Sequence, residues 1–287
     1  TSMPAYLGSA VLERPDGATA GLVLVQELLA DAEDCWDAAM RMGEAFLQTG
    51  ERDVFDLLER LGATTSLMHL VLAHAREAAF VPRRAGPPDV QGWFEDLRAE
   101  AAAALELVEG SGETGPYAEA LSACRELQVW AGEGDAGLLI RVHGDYHLGQ
   151  VLSHEERLFV VDFEGEPARD LEARRALQSP LVDVAGMLRS WGYAVSQLAV
   201  GAPAAHEELL EELAERGRRA FLDGYYAGVS GSDTPILPAD EQERDRLLGL
   251  LELRKAIYEL VYETNNRPDW AWIPALALPD LLTKATA

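Results

Sequence analysis

The sequence is poor in lysine, cysteine and long apolar runs, and each scarcity excludes a class of protein. Acidic side chains outnumber basic ones by 49 to 24, which gives a net charge of −25. Such a surface repels nucleic acids and anionic lipids, so we expect neither as a partner. Two cysteines, Cys35 and Cys124, are too few for a disulfide framework and favour a reduced, cytoplasmic setting. No apolar run reaches the ~20 residues of a membrane span, and we expect no signal peptide.

The remaining composition is that of a folded globular protein. The 287 residues are 48% hydrophobic, enough for one large domain or two smaller ones. The first thirty residues alternate like a β-hairpin, with a turn at "RPDG" and a second arm from Leu22 to Val25. Beyond them apolar residues recur at intervals of three and four, which predicts a mostly helical body. Two short apolar strands, "LLIRV" and "RLFVV", interrupt this body.

Two familiar patterns do not carry function here. The glycines of "GEGDAG" (Gly132, Gly134, Gly137) match the dinucleotide fingerprint, but they follow a helix and precede a strand. We therefore interpret the segment as a flexible connector. His143 and His147 share a loop that offers no third ligand of that type, so they do not predict a metal site built on histidine.

The stretch "RVHGDYHLGQVLSHEERLFVVDFEGEP" places an aspartate after each of the two short strands, at Asp145 and Asp162. We expect the strands to be adjacent and the two acids to converge, with Gln150 between them. Phosphoryl transfer needs one carboxylate for the attacking hydroxyl and further oxygen ligands for Mg²⁺ on the phosphates. Asp145 would take the first role, Gln150 and Asp162 the second, and Glu164 lies close enough to assist. The order matches the kinase pattern H-x-D-x-x-x-x-N … D-F-G, with Gln for Asn and "DFE" for "DFG". The alternative is a β-hairpin whose strands end in acidic residues that have a structural role only.

One face of the last long helix predicts a sugar site. Lys255, Tyr258, Glu259 and Tyr262 stand at i, i+3, i+4 and i+7 and so share a face. Hydrogen-bonding side chains beside aromatic rings are what a sugar site needs. The alternative is a tyrosine-rich packing face with a snorkelling lysine. Trp270, after the helix, could stack on a sugar ring or fill core.

The combined motifs "HGDYHLGQVL", "VVDFEGEP", "SPLVDVAGMLRSWGYA" and "LRKAIYELVYETNNRPDWAWIP" resemble the aminoglycoside-phosphotransferase-like kinases, and among them the bacterial maltokinases. The resemblance implies an α+β fold: the mostly helical C-terminal lobe of a protein-kinase-like fold (31–287), preceded by a small β remnant of the N-terminal lobe (1–30). It implies ATP- and Mg²⁺-dependent phosphorylation of maltose to maltose 1-phosphate, within trehalose, glycogen and α-glucan metabolism. A trehalose synthase would then be a partner or fusion.

Site roles follow from the same resemblance. It implies that Asp145 is the catalytic carboxylate and that Gln150 and Asp162 bind Mg²⁺. It further implies an adenine hinge at Gln26, Glu27 and Leu28, a sugar-binding Lys255 and Tyr258, and support of the catalytic loop by Asp183; His143 is expected to be structural. Because related glucosamine kinases carry an acid near the lysine position, Lys255 favours a neutral sugar.

The sequence also departs from the family. Kinases of this type have a phosphate-covering loop and a lysine on the α/β-phosphates, whereas here the only lysines are Lys255 and Lys284. We therefore expect this chain alone to have little or no kinase activity. Three alternatives stay open: a non-catalytic sugar-binding or regulatory module, a kinase for glucosamine or another sugar, and a metal-dependent phosphoesterase built on "HGDYH".

Overall fold

The computed structural model describes residues 3–17, 19–111, 116–128, 135–167 and 169–286. Gly132 and Gly134 of "GEGDAG" lie outside the described residues. The described part is mostly helical, as predicted. Its α-helices are α1 (Cys35–Thr49), α2 (Asp53–Leu72), α3 (Pro87–Ser111), α4 (Pro116–Arg125), α5 (Leu171–Arg175), α6 (Leu181–Ala199), α7 (Glu207–Ser230), α8 (Glu241–Asn266) and α9 (Trp272–Thr286). Its strands are β1 (Tyr6–Glu13), β2 (Thr19–Gln26), β3 (Glu33–Asp34), β4 (Arg83–Arg84), β5 (Leu138–Leu139), β6 (Val151–His154) and β7 (Arg157–Val160). None of the described helices is long and apolar enough to cross a membrane.

The predicted N-terminal hairpin is present and longer than expected. Strands β1 and β2 pair antiparallel, and β2 begins at Thr19 rather than at Leu22. Its apolar side chains lie largely in solvent; Leu22 is 62% exposed and Leu24 is 63% exposed.

The helical body is held together by a close contact between α2 and α7. A Cβ added at Gly62 would lie 2.0 Å from the Phe221 carbonyl oxygen, and one at Gly224 would lie 2.0 Å from the Glu59 carbonyl oxygen. Only glycine permits such a backbone approach.

The two strands that precede the acids are not neighbours, which corrects the expectation from the sequence. Strand β5 pairs with β4, whereas β7 pairs with β6 in a three-stranded sheet of order β3-β6-β7. The β6–β7 hairpin turns at Glu155 and Glu156, both of which have positive φ, as a tight two-residue turn requires. The error arose because residues 151–154 form a strand of their own that pairs locally with β7.

Candidate active site

Asp183, near the start of α6, anchors the loop that carries Asp145. Its fully buried carboxylate accepts hydrogen bonds from the backbone N–H groups of His143 (2.8 Å) and Gly144 (2.9 Å). It also lies 3.1 Å from His69 Nε2 on α2. Burial by itself would raise the pKa of Asp183, but the hydrogen bond and charge of His69, with His143 and the Gly144 N–H, lower it overall. Asp183 is therefore held as a carboxylate at the base of the loop.

Further contacts fix the same loop from two helices. The Tyr146 hydroxyl lies 2.9 Å from Thr65 Oγ1 on α2, and the Leu148 N–H donates to Ser190 Oγ on α6. A Cβ added at Gly186 would lie 2.6 Å from the Tyr146 carbonyl oxygen, so α6 packs directly against the loop. The position of Asp145 is thus set by side chains that are distant in sequence.

Asp145 itself is half-buried and faces a cleft. Burial raises its pKa and the neighbouring charge of Glu166 raises it further, while Lys255 and two nearby histidines oppose this. A higher pKa makes a carboxylate a better proton acceptor in its ionised form. His147, beside it, has a lowered pKa because it is desolvated by burial.

The second acidic segment converges on the first although their strands are not paired. Gln150 precedes β6 and Asp162 follows β7, so the antiparallel hairpin places both at one end, where Gln150 Nε2 donates to Asp162 Oδ2 over 3.2 Å. His143 Nε2 lies 2.8 Å from the Val161 carbonyl oxygen. A Cβ added at Gly144 would lie 3.5 Å from Gly165 Cα. The two loops therefore touch beside Asp145.

The donors at this end of the hairpin suit Mg²⁺. Amide and carboxylate oxygens are hard ligands, and Mg²⁺ in kinases is commonly held by one or two such groups together with substrate phosphates. Asp162 has a φ of 63°, an uncommon conformation for a residue other than glycine and one that clusters at functional sites. Glu164 is exposed nearby. Among the described residues no group of three His, Cys, Asp or Glu side chains could hold a metal.

The cleft beside Asp145, which we call the acceptor cleft, has a volume of about 760 Å³. It is lined by the four residues that helical spacing predicted on α8: Lys255, Tyr258, Glu259 and Tyr262. Trp270 lies in its wall too, with its ring stacked 6.3 Å from that of Tyr193. Further lining residues were not predicted from the sequence, among them Trp36, Glu166, Tyr193, Glu263 and Arg267.

Two acidic residues of the cleft wall already form ion pairs within the protein. Glu259, predicted as a substrate-binding residue, forms a buried ion pair with Arg189 on α6. Glu263 pairs with Arg267 one turn later and accepts from the Tyr193 hydroxyl. Both acids stabilise the wall.

Among the lining residues that the sequence reasoning missed, Glu166 is the one bonded to two of the predicted residues of α8. Its carboxylate accepts hydrogen bonds from the Tyr258 hydroxyl (2.9 Å) and from Lys255 Nζ (3.3 Å). It belongs to the "DFEGEP" motif, yet nothing in the spacing links residue 166 to a helix that begins at residue 241. Only the tertiary structure joins the segment predicted to bind metal to the helix predicted to bind sugar.

The predicted hinge residues lie at the end of β2 and not in the acceptor cleft. The Glu27 N–H donates to the Ala5 carbonyl oxygen over 2.8 Å, and the Leu28 side chain is 87% exposed. None of Gln26, Glu27 and Leu28 is among the residues that line the cleft.

Comparison with known proteins shows the family to which the chain belongs. No protein-family model matches it. It is 31% identical over 289 residues to the glucosamine kinase of Streptacidiphilus jiangxiensis, covering 98% of this chain and 62% of that protein. It is 30% identical over 297 residues to the glucosamine kinase of Mycolicibacterium smegmatis, covering 99% of this chain and 69% of that protein. The chain thus spans roughly two thirds of the length of these relatives.

Solved structures of glucosamine kinases have a fold similar to that of this chain. A glucosamine kinase in complex with glucosamine, ADP and inorganic phosphate superposes with a TM-score of 0.81 at 27% identity, covering all of this chain and 70% of that one. A glucosamine kinase in another crystal form gives 0.78 at 27% identity, covering 99% and 66%. The fold is therefore that of the kinase-like superfamily, as the sequence motifs indicated. The chain belongs to the glucosamine kinase family; the two relatives named above carry this name, not that of the maltokinases.

Proposed function

We propose that the protein containing this chain transfers a phosphoryl group from ATP to a hydroxyl group of a sugar. The observation that carries the proposal is that the loop with Asp145, which lines an aromatic-walled cleft, touches the loop that carries Asp162. Membership of the glucosamine kinase family supports the same reaction class.

In this mechanism Asp145 receives the attacking hydroxyl of the sugar. Its carboxylate orients the oxygen and accepts the proton late in the transfer, because the transition state is loose. Gln150 and Asp162 would hold Mg²⁺, with Glu164 assisting. The metal, when bound, would neutralise the phosphates of the nucleotide, which a strongly acidic protein otherwise repels.

The proposal also gives the N-terminal hairpin and the hinge residues a role in binding the nucleotide. Residues 1–30 would form the last hairpin of an N-terminal lobe, and backbone groups of Gln26, Glu27 and Leu28 would contact the adenine. Residues 31–287 would form the helical lobe with the catalytic and metal-binding loops. His143 and Asp183 would support the catalytic loop without contacting substrate.

Two kinds of sugar are candidates for the acceptor of the phosphoryl group. Glucosamine is the first candidate, since the relatives are named for it. A neutral sugar such as maltose is the second, and the observation in its favour is that Lys255 already neutralises Glu166 inside the cleft.

The test is phosphoryl transfer by the full-length protein from Mg-ATP to glucosamine, glucose, maltose and trehalose, with products identified by ³¹P NMR. We expect a sugar phosphate with at least one of them. Sugar binding without transfer to any of the four would favour the non-catalytic module instead.

A further inference from the structure

Residues 163–178 follow Asp162 and end beside the stretch of chain that leads to Asp145. Ile140 of that stretch and Gln178 exchange two backbone hydrogen bonds, each of 2.9 Å. We call residues 163–178 the return segment; the structure describes all of it except residue 168. Because the segment connects the surroundings of the two acids, the contacts that hold its ends bear on the distance between them.

One side chain, that of Arg141, bonds to both arms of the return segment. Its Nη2 donates to the Phe163 carbonyl oxygen over 3.2 Å, and its Nη1 donates to the Arg174 carbonyl oxygen. Phe163 directly follows Asp162, whereas Arg174 lies toward the other end of the segment. The guanidinium therefore ties the stretch before Asp145 to the backbone after Asp162.

The return segment also packs against the catalytic loop through glycine. Gly165 has a φ of 77°, a conformation that favours glycine. A Cβ added to it would lie 3.4 Å from Arg174 Cγ, and a Cβ added at Gly144 would lie 3.5 Å from Gly165 Cα. Gly165 is thus in contact both with the catalytic loop and with the stem of Arg174. The segment has little room to shift as long as Arg141 holds the Arg174 backbone.

Arg141 is half-buried and has no acidic partner. Among the described residues it donates to backbone carbonyls only, although the chain has 49 acidic side chains; Arg189 and Arg254, by contrast, pair with glutamates. Burial lowers the pKa of Arg141, opposed by the charge of Asp183 and aided by that of Arg175, yet a guanidinium stays protonated in proteins. Its planar, forked donors fix two acceptors at once, so its contribution is geometry and not ion pairing.

We propose that Arg141 is a positioning residue for phosphoryl transfer, which sets the separation of Asp145 and Asp162 by holding both arms of the return segment. The inference rests on the proposed function for the roles of the two acids. Without the guanidinium, the Phe163 and Arg174 carbonyl oxygens lose a charged donor, and the backbone after Asp162 can move away from the catalytic loop. A purely structural arginine would change stability without changing the requirement for Mg²⁺.

The first measurement is hydrogen–deuterium exchange in the full-length protein, which needs neither nucleotide nor sugar. Arg141→Met should speed the exchange of amides in the return segment about tenfold, the size of one charge-assisted hydrogen bond. Exchange in the core helices α2 and α7 should stay within about twofold of the starting value, which reports that the variant is folded. Arg98→Met is the matched control, because half-buried Arg98 also donates to a backbone carbonyl, that of Leu127, over 2.7 Å. It should leave the return segment unchanged.

The second measurement is the Mg²⁺ dependence of transfer from ATP to whichever of the four sugars is phosphorylated fastest. Arg141→Met should raise the Mg²⁺ concentration for half-maximal rate about tenfold and lower kcat by a similar factor, because Asp162 is no longer held in place. KM for the sugar should change by less than about threefold, since Glu166 keeps its own bonds to Tyr258 and Lys255.

Arg141→Lys separates charge from geometry. The ammonium keeps the charge but lacks the planar fork, so it should recover only part of either loss. Full recovery with lysine would show that charge alone suffices and would overturn the proposal. An unchanged return segment and Mg²⁺ requirement in Arg141→Met, or equal changes in Arg98→Met, would overturn it as well.

The two measurements separate this inference from the proposed function. Faster exchange in the return segment of Arg141→Met, with no transfer to any sugar by the starting protein, would refute the kinase and leave Arg141 as the residue that holds the segment. Transfer by the starting protein that responds alike to Arg141→Met and Arg98→Met would refute the inference and leave the kinase standing.

Discussion

The floor of the active site and the wall of the acceptor cleft are built from the same kinds of side chain but differ in burial. At the floor, Asp183 and His69 are fully buried and every partner of the carboxylate is a backbone N–H or a packed imidazole. At the wall, Glu166 and Lys255 are partly exposed and meet at a longer distance. Electrostatic interactions are strong and poorly screened where water is excluded, and weak where water enters.

The difference assigns the two regions different tasks. Moving the buried Asp183 carboxylate would leave the N–H groups that donate to it without an acceptor. The floor therefore keeps a single geometry. In the wall, the Glu166–Lys255 pair is partly exposed, so it can exchange partners with water at a lower cost. We therefore expect the floor to set the position of Asp145 and the wall to contact the ligand. The following variants, from largest to smallest effect, test that division.

Asp145→Asn should reduce kcat by about a thousandfold, because the amide cannot accept the hydroxyl proton. Sugar binding, which depends on the wall, should survive within a few-fold when measured by calorimetry. Asp223→Asn, on an exposed position of α7, is the matched control and should behave like the starting protein. Turnover near the starting rate in Asp145→Asn would refute the catalytic assignment.

Asp183→Asn should destabilise the fold by about 1–3 kcal/mol, because two loop N–H groups and His69 lose a charged acceptor. The pKa of Asp183 is lowered in the folded state, so its stabilisation is fully present above the unfolded value of ~3.9 and is lost as pH falls through the lower folded value. Urea unfolding from pH 7 downward should therefore show the gap between the two proteins narrowing below about pH 4. A gap that stays constant with pH would contradict a role for the charge.

Gly186→Ala should cost about 1–3 kcal/mol, since the added methyl group would press on the Tyr146 carbonyl oxygen at 2.6 Å. It should also lower kcat by displacing the catalytic loop. Gly92→Ala is the control: it lies in α3 with no atom within 4 Å of the new Cβ, and should raise stability by up to about 1 kcal/mol. Equal effects in the two variants, measured by urea unfolding, would mean that the floor is not tightly packed there.

Tyr258→Phe should have the smallest effect, a rise in KM of about fivefold with kcat nearly unchanged, because one hydrogen bond to Glu166 is lost. It should affect glucosamine and glucose alike. Tyr6→Phe, in the exposed hairpin, controls for loss of a tyrosine hydroxyl. A fall in kcat without a change in KM would place Tyr258 with the floor instead of the wall.

Local patterns accounted for a good part of what the structure shows. The helical repeat was enough to put Lys255, Tyr258 and Tyr262 on one face, because side chains three and four positions apart lie on the same side of a helix. The N-terminal hairpin and the mostly helical body were likewise predicted from the sequence. The order of Asp145, Gln150 and Asp162 predicted that their loops would meet.

What local patterns could not supply were the partners of these residues. Strand β7 was expected beside the strand before Asp145 and instead pairs with β6, and Glu259 was expected to be available to substrate but is bound to Arg189. Glu166 was not singled out at all. In each case the deciding contact joins residues that the helical or strand period does not relate.

The sequence by itself determined which side chains could do the chemistry and on which faces of their own helices they lie, since those depend on residue type and on short-range backbone geometry. Only the tertiary structure decided that His69 meets Asp183 and that Glu166 meets Lys255, across 114 and 89 positions. Such pairs form because packing of α2, α6, α7 and α8 excludes water and brings distant segments together. That is a property of the whole buried core and not of any one stretch of the chain.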